Sequence, residues 1–271
     1  MPANNEAGYP WEISREVERL QKQHAWVQRC LDNRIVFAPV RLDKEGLKVL
    51  DVGCADGTLL RDLKKQMSPS AQLVGADIMK EFLPSADEGI LYEVYDICEP
   101  PKRELTQEFD FTHLRYSILG GYKVGYQKSV ENLAGGWLQI NELDFDLTDR
   151  SNVGPAWRDV NNLIAAMFDG MGMGSDCPRK LPEAFKIAGL ENVTVQAVDL
   201  PMGKLLGDDE AAEMSWQPFA LTIPSLIEGA KKLGAGLPES TYENLEERFV
   251  NEIKEKGAMF RTLITIGQKP A

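Results

Sequence analysis

Histidine is almost missing from this chain: only His24 and His113 occur among 271 residues, which excludes a metal centre built from histidines. The four cysteines, Cys30, Cys54, Cys98 and Cys177, show no paired short spacing. That speaks against both a zinc site and a disulfide framework, and it predicts a reducing compartment, the cytoplasm or the nucleus. No apolar run approaches membrane-spanning length, and the first residues lack the basic-then-apolar order of a signal peptide. Basic side chains are in the minority, 30 Lys and Arg against 42 Asp and Glu, for a net charge of −12. A field of that sign disfavours nucleic acid and anionic membrane surfaces as partners. Internal repeats and low-complexity segments are also missing. What is present, 43% hydrophobic and 27% charged residues, is the composition of a folded globular chain long enough for one large core.

The organising stretch is Leu47–Gly57, Leu-Lys-Val-Leu-Asp-Val-Gly-Cys-Ala-Asp-Gly. Val49, Leu50 and Val52 form a β-prone run, Gly53–Gly57 a tight turn, and Leu59, Leu60, Leu63 and Met67 follow at helical spacing. In a parallel sheet such a strand–turn–helix unit leaves backbone N–H groups at the carboxyl edge free to hold a ligand. Ala55 and Thr58 stand where a dinucleotide fingerprint needs glycines, and the lysine of a phosphate loop is missing after Gly57. Asp51 and Asp56 would repel a pyrophosphate and suit a cationic ligand.

Before this unit, Ile13, Val17, Leu20, His24, Val27 and Leu31 recur at helical spacing, with Arg19 and Gln23 on an adjoining face. Such a helix either packs on the sheet or folds over a ligand. After it, Gln72–Asp77 reads as a second strand ending in an acid 20 residues past Gly57. There a carboxylate can accept from both ribose hydroxyls, or cap a helix. Ile90–Tyr95 gives a third strand closed by Asp96, an acceptor for an adenine amino group, with Ile78 and Ile97 as apolar faces for the ring. Phe109–Leu114 is a fourth strand and Gly135–Glu142 a fifth, so repeated strand–helix units predict a parallel sheet with helical crossovers. Beyond Glu142, Trp157, Met167, Phe168 and Met171 cluster around a glycine-broken loop. They are either core or the lining of an apolar substrate cap. Asn192–Val198 and Met259–Gly267 read as the sixth and seventh strands, with a helical insertion between them.

With these positions placed, the chain resembles the class I S-adenosylmethionine-dependent methyltransferases, and among them the fungal LaeA-like methyltransferases of secondary metabolism. The closer likeness lies in Glu18-Arg19-Leu20-x-x-Gln23-His24, Leu50-Asp51-Val52-Gly53, Gly75-Ala76-Asp77, Phe109–Arg115, Gly135-Gly136-Trp137-Leu138 and Gly267-Gln268-Lys269-Pro270. The resemblance implies one domain over residues 1–271: residues 1–40 lie over the cofactor, 41–145 form the cofactor-binding core, and 146–271 complete the sheet and carry substrate-cap insertions. It implies a seven-stranded, mostly parallel Rossmann-like sheet with helices on both faces. The implied cofactor is S-adenosylmethionine, held by Tyr9, Arg19, Gln23, Asp51, Gly53, Cys54, Ala55, Asp56, Gly57, Asp77, Ile78, Asp96, Ile97, His113 and Arg115. Trp157, Met167, Phe168 and Met171 would meet the substrate.

The implied activity is methylation of a thiol, amine or hydroxyl on a small molecule, by a monomer or weak dimer that needs no metal, nucleic acid or membrane. A regulatory member acting in a protein complex is the alternative. Transfer from a sulfonium chiefly requires alignment of acceptor, methyl and sulfur. No indispensable general base is therefore expected, and His113 is the best-placed residue to assist.

Overall fold

The computed structural model describes residues 13–85, 89–101, 109–148 and 153–270. The elements run α1 (Ile13–Cys30), β1 (Lys48–Val52), α2 (Thr58–Lys64), β2 (Gln72–Asp77), β3 (Ile90–Val94), β4 (Phe111–Arg115), α3 (Gly125–Leu133) and β5 (Trp137–Leu143). They continue with α4 (Pro155–Gly170), α5 (Cys177–Ile187), β6 (Glu191–Met202), α6 (Asp209–Lys232), α7 (Glu239–Tyr242), α8 (Leu245–Glu255) and β7 (Ala258–Gln268). The strands form one seven-stranded sheet in the order β3-β2-β1-β4-β5-β7-β6. Neighbours from β3 to β5 are parallel, and β7 runs antiparallel to both β5 and β6. The Rossmann-like, mostly parallel α/β sheet expected from the sequence is the one found.

Period-two alternation splits the core between the faces of the sheet. Leu50, Val52, Leu114, Leu138 and Ile140 pack with residues of α3 and α5. Val49, Phe111, Ile264 and Ile266 pack with Ile35, Val36, Leu59 and Leu63 on the other side. A third cluster joins Trp26 and Val27 of α1 to α4, α6 and α8, around Trp157, Phe219, Phe249 and Phe260. Trp26 lies edge-on to Phe260 at 5.5 Å between centroids and donates its indole N–H to Pro201 O at 2.9 Å. The carboxyl half of α1 is thereby anchored in the core, whereas Ile13, Val17 and Leu20 of its first half are only half-buried.

Caps in the late helices come partly from neighbours. Pro155 opens α4, and the N–H groups of Ala156 and Trp157, which have no acceptor within the helix, are taken by the Glu252 carboxylate of α8, at 3.1 and 2.8 Å. Asp208 caps α6 through Ala211 N–H at 2.7 Å. No helix among the described residues is long and apolar enough to cross a membrane.

These contacts correct part of the cap reading. Trp157 is fully buried, donates to Met259 O at 3.1 Å and meets Phe219 edge-on at 5.4 Å. Phe168 is buried against Phe145, 4.9 Å between centroids. Both are core because α4 turns its apolar stripe inward onto the sheet and α6. Met167 packs on α6 at Gly229, where a Cβ would stand 2.9 Å from its Cε. Met171, half-buried at the end of α4, is the remaining member of that set.

Candidate active site

The turn after β1 uses positive φ at Gly53 (+71°), Ala55 (+47°) and Gly57 (+76°). Glycine is needed at both ends for space as well as for conformation. A Cβ on Gly53 would stand 2.5 Å from Ser117 Oγ, and one on Gly57 would collide with the Tyr92 hydroxyl. The Tyr92 ring also fills the place of a side chain at Gly75, so β3 supports the turn from behind.

Four of the turn's amides are taken up within the protein, where the sequence suggested amides free for a ligand. Gly53 and Cys54 N–H donate to Ala76 O at 2.8 and 3.1 Å, Ala55 N–H to Asp77 Oδ2 at 2.9 Å, and Gly57 N–H to Cys54 O at 2.9 Å. Backbone donors shielded from water require partners, and here β2 supplies three of them and Cys54 O within the turn the fourth. Asp56 is likewise engaged, accepting from Thr58 and Arg61 beside it and from Gln21 of α1 at 2.7 Å. Cys54 is buried, its thiol pushed up by desolvation and nearby carboxylates, so it is not a nucleophile.

Asp77 ends β2 almost wholly buried. Besides Ala55 N–H it accepts Met79 N–H at 2.9 Å on Oδ1. Burial raises its pKa, and these amide bonds pull the other way. Asp96 follows β3, accepts Cys98 N–H at 2.9 Å and faces Lys123 Nζ at 3.6 Å. Of the two residues expected to sandwich a ring, Ile78 is 49% exposed, whereas Ile97 is buried in the main core next to Gly120 and Gly121. Ile97 is thus removed from the ligand-facing set, because its side chain fills the space under the turn that follows β4.

Asp51 and His113 lie opposite each other on β1 and β4, and His113 Nδ1–H donates to Asp51 Oδ1 at 2.7 Å. His113 is 1% exposed and sits mid-strand, below the rim. The catalytic role foreseen for it gives way to a structural one: its ring holds the carboxylate of Asp51. Arg115 ends the same strand and donates through Nη2 to His24 Nδ1 at 2.8 Å, while His24 Nε2 lies 2.9 Å from Asp62 Oδ2. A guanidinium can only donate, so His24 is neutral, with its proton on Nε2 and given to Asp62. Burial and the Arg115 charge accordingly pull its pKa down to about 4. Among the described residues no carboxylate lies within ion-pair distance of Arg115. Burial also depresses the pKa of that guanidinium.

The structure therefore brings Asp51, the glycine turn, Asp77, Asp96 and Arg115 to the carboxyl ends of four adjacent strands, β1 to β4. From α1, Arg19 is engaged by Glu16 at 2.6 and 2.8 Å, and Gln23 is half-buried. Tyr9 lies outside the described residues. Sequence reasoning missed Gln21, Tyr92 and Ser117, which shape the turn from three directions. Only Ser117 carried a signal, its place two residues after Arg115.

No family model matches the chain. It is similar to the methyltransferase psoC of Aspergillus fumigatus, 29% identical over 94% of both chains, and to the N-methyltransferase sirN of Leptosphaeria maculans, 28% identical over 94% of this chain and 92% of that one. The secondary metabolism regulator laeA of Gibberella zeae is 26% identical, but over 63% of this chain and 55% of its own. A cyclopropane-fatty-acyl-phospholipid synthase-like protein from Lactobacillus casei shares the fold, with a TM-score of 0.53 at 12% identity over 94% of this chain and 92% of that one. The likeness to fungal methyltransferases seen in the motifs therefore extends over nearly the whole chain.

Proposed function

We propose that this chain, which has the class I methyltransferase sheet, transfers a methyl group from S-adenosylmethionine to a thiol, amine or hydroxyl of a small secondary metabolite. The observation that carries the reading is Arg115: a half-buried guanidinium with no carboxylate within ion-pair distance among the described residues, at the strand end beside the glycine turn. A buried charge needs a partner, and the α-carboxylate of the cofactor's methionine moiety is a fitting one. Asp77 retains lone pairs for ribose hydroxyls, and Asp96 for the adenine amino group with Ile78 over the ring. Asp51 and Asp56 set a negative field for the sulfonium and ammonium. When bound, the cofactor supplies an already activated methyl group. The protein's own work is alignment and exclusion of water, for which α1 is placed through Gln21 on Asp56 and His24 on Arg115 and Asp62.

The names of sirN and of the Claviceps purpurea relative tcpN, both N-methyltransferases, favour nitrogen as the acceptor. A small-molecule enzyme is preferred over a laeA-like regulator acting in a protein complex, because likeness to psoC and sirN spans 94% of this chain and likeness to laeA 63%. We place it in the cytoplasm, as a monomer or weak dimer. Calorimetric titration with S-adenosylhomocysteine tests the reading. One site per chain is expected, and binding of a nicotinamide cofactor instead would overturn it.

A further inference from the structure

Glu142 lies at the end of β5 with 4% residual exposure, yet its Oε2 has no hydrogen-bond partner among the described residues. Its other oxygen, Oε1, accepts the N–H of Leu143 at 3.0 Å, and the backbone N–H of Ile118 also points at the carboxylate. Holding two backbone donors does not explain a charge there. A glutamine would accept both and spare the desolvation of a carboxylate.

Position supplies the explanation. Leu138 and Ile140 lie in the cluster on the α3 and α5 side of the sheet, and Glu142 continues their face at the carboxyl end of the strand. The segment Tyr116–Ile118 links it to the cofactor turn. Tyr116 N–H donates to Asn141 O at 2.9 Å, Ser117 lies against Gly53, and Ile118 N–H meets Glu142. Tyr116 holds φ at +55°, a left-handed conformation uncommon for a bulky residue, and its ring turns to the other face of the sheet, edge-on to Phe260 at 5.4 Å with its hydroxyl towards Thr262. The strained turn after β4 thus lies beside the orphan oxygen of Glu142 at the end of β5, with β4 between it and the strand that carries the glycine turn. A methyl acceptor reaching this strand end would meet a carboxylate oxygen that the described residues leave unsatisfied.

We propose that Oε2 of Glu142 receives the proton released by an acceptor that keeps it at neutral pH, a hydroxyl or an amide N–H. The proposal rests on the methyltransferase reading above and narrows its substrate. The lone pair of the acceptor atom forms the bond to the methyl carbon. The carbon–sulfur bond breaks with its electron pair going to sulfur, which becomes a neutral thioether, and the O–H or N–H proton passes to the carboxylate, to be lost later to solvent. Burial pushes the Glu142 carboxyl up to about 7, where it can act as a base and recover. The titratable groups within its electrostatic reach are Tyr116, pushed up to about 12, and Cys177 on α5, pushed up by burial, so neither titrates near neutrality.

The experiment compares wild type and Glu142→Gln on a phenol, a secondary amide and an aromatic thiol, the last being largely thiolate without help. S-Adenosylhomocysteine affinity should be unchanged, because glutamine still accepts Leu143 and Ile118 N–H. With phenol and amide, kcat should fall by roughly 10²–10⁴-fold and lose an inflection near pH 7. With the thiol it should fall less than about tenfold. Equal losses on all three probes would make Glu142 merely structural, and no loss would remove it from the reaction. An inflection that survives Glu142→Gln but disappears in His113→Asn would reassign the proton to the histidine. A wild type that binds S-adenosylhomocysteine but methylates neither phenol nor amide also overturns the proposal. Failure to bind S-adenosylhomocysteine at all counts instead against the methyltransferase reading.

Discussion

Replacing Asp77 with alanine removes the residue on which both the glycine turn and the expected ribose contact depend. Its carboxylate accepts Ala55 N–H and Met79 N–H, each at 2.9 Å. Hydrogen bonds to a charged group contribute about 1.5–3 kcal/mol each, part of which the burial of the carboxylate offsets, leaving a net cost to folding of about 2 kcal/mol. Ala55 is held at φ +47°, so loss of its hydrogen bond to β2 also loosens the turn. If ribose hydroxyls use the remaining lone pairs, S-adenosylhomocysteine affinity should fall at least ~10-fold, equivalent to about 1.4 kcal/mol. Asp77→Asn should do little better, because one amide oxygen cannot serve both N–H groups and the new NH₂ faces a donor. Calorimetric titration of variants shown by circular dichroism to be folded reads the affinity, and hydrogen exchange at Ala55 and Met79 reads the turn. A folded alanine variant with unchanged affinity would place the ribose elsewhere and refute the role given to Asp77.

His24 makes stability depend on acid. Its folded pKa of about 4 lies below the ordinary 6.5, so the unfolded chain takes up a proton that the folded one refuses. Stability from this group is full above pH 6.5 and is lost as pH falls towards 4, by about 3 kcal/mol in all. In urea unfolding His24→Phe should flatten that part of the pH profile, and an unaltered profile would contradict the assignment. His113→Asn should cost about 2 kcal/mol of stability through Asp51 yet retain turnover within ~100-fold. Abolished turnover with folding and cofactor affinity intact would make the histidine catalytic. Trp157→Ala should cost about 3–5 kcal/mol in thermal or urea unfolding, and an effect confined to the substrate KM would return this residue to the substrate pocket. Turnover should survive EDTA, since no group of three potential ligands is placed to hold a metal among the described residues; loss that zinc or magnesium restores would contradict this.

The strands and the glycine turn were legible because their determinants are local: β-branched runs, glycines where φ is positive, and acids at strand ends. Asp51, Asp77 and Asp96 follow directly from strand periodicity and spacing. What those residues bind was not legible. Whether the amides of Gly53, Cys54 and Ala55 face a ligand or the neighbouring strand depends on the positions of Ala76 O and the Asp77 carboxylate, which no local pattern records. Trp157 and Phe168 illustrate the other limit. An aromatic stripe has the same helical spacing whether it faces a substrate or Phe219 and Phe145. Glu142 drew no notice, since an acid at a strand end looks alike whether it is solvated or buried.

The docking of α1 joins closure of the site to one protonation state. Arg115 needs an acceptor where His24 stands and Asp62 needs a donor, and only a neutral ring with its proton on Nε2 supplies both. The Nδ1-protonated tautomer turns an N–H towards the guanidinium and leaves Oδ2 of Asp62 without its donor, while Lys65 still donates to Oδ1. A charged ring keeps Asp62 but sets two cations 2.8 Å apart. A carboxylate arriving at Arg115 relieves that repulsion, so cofactor and neutral His24 compete to satisfy the same guanidinium without excluding each other. S-Adenosylhomocysteine should therefore raise the pKa of His24, and its affinity should strengthen as pH falls below about 6, as linkage requires. The histidine ring resonances, followed by NMR with and without S-adenosylhomocysteine, test this. With two histidines in the chain and His113 held by Asp51, the His24 signal is assignable by the His24→Phe variant. A titration that S-adenosylhomocysteine leaves unmoved would mean that the ligand's carboxylate does not reach Arg115.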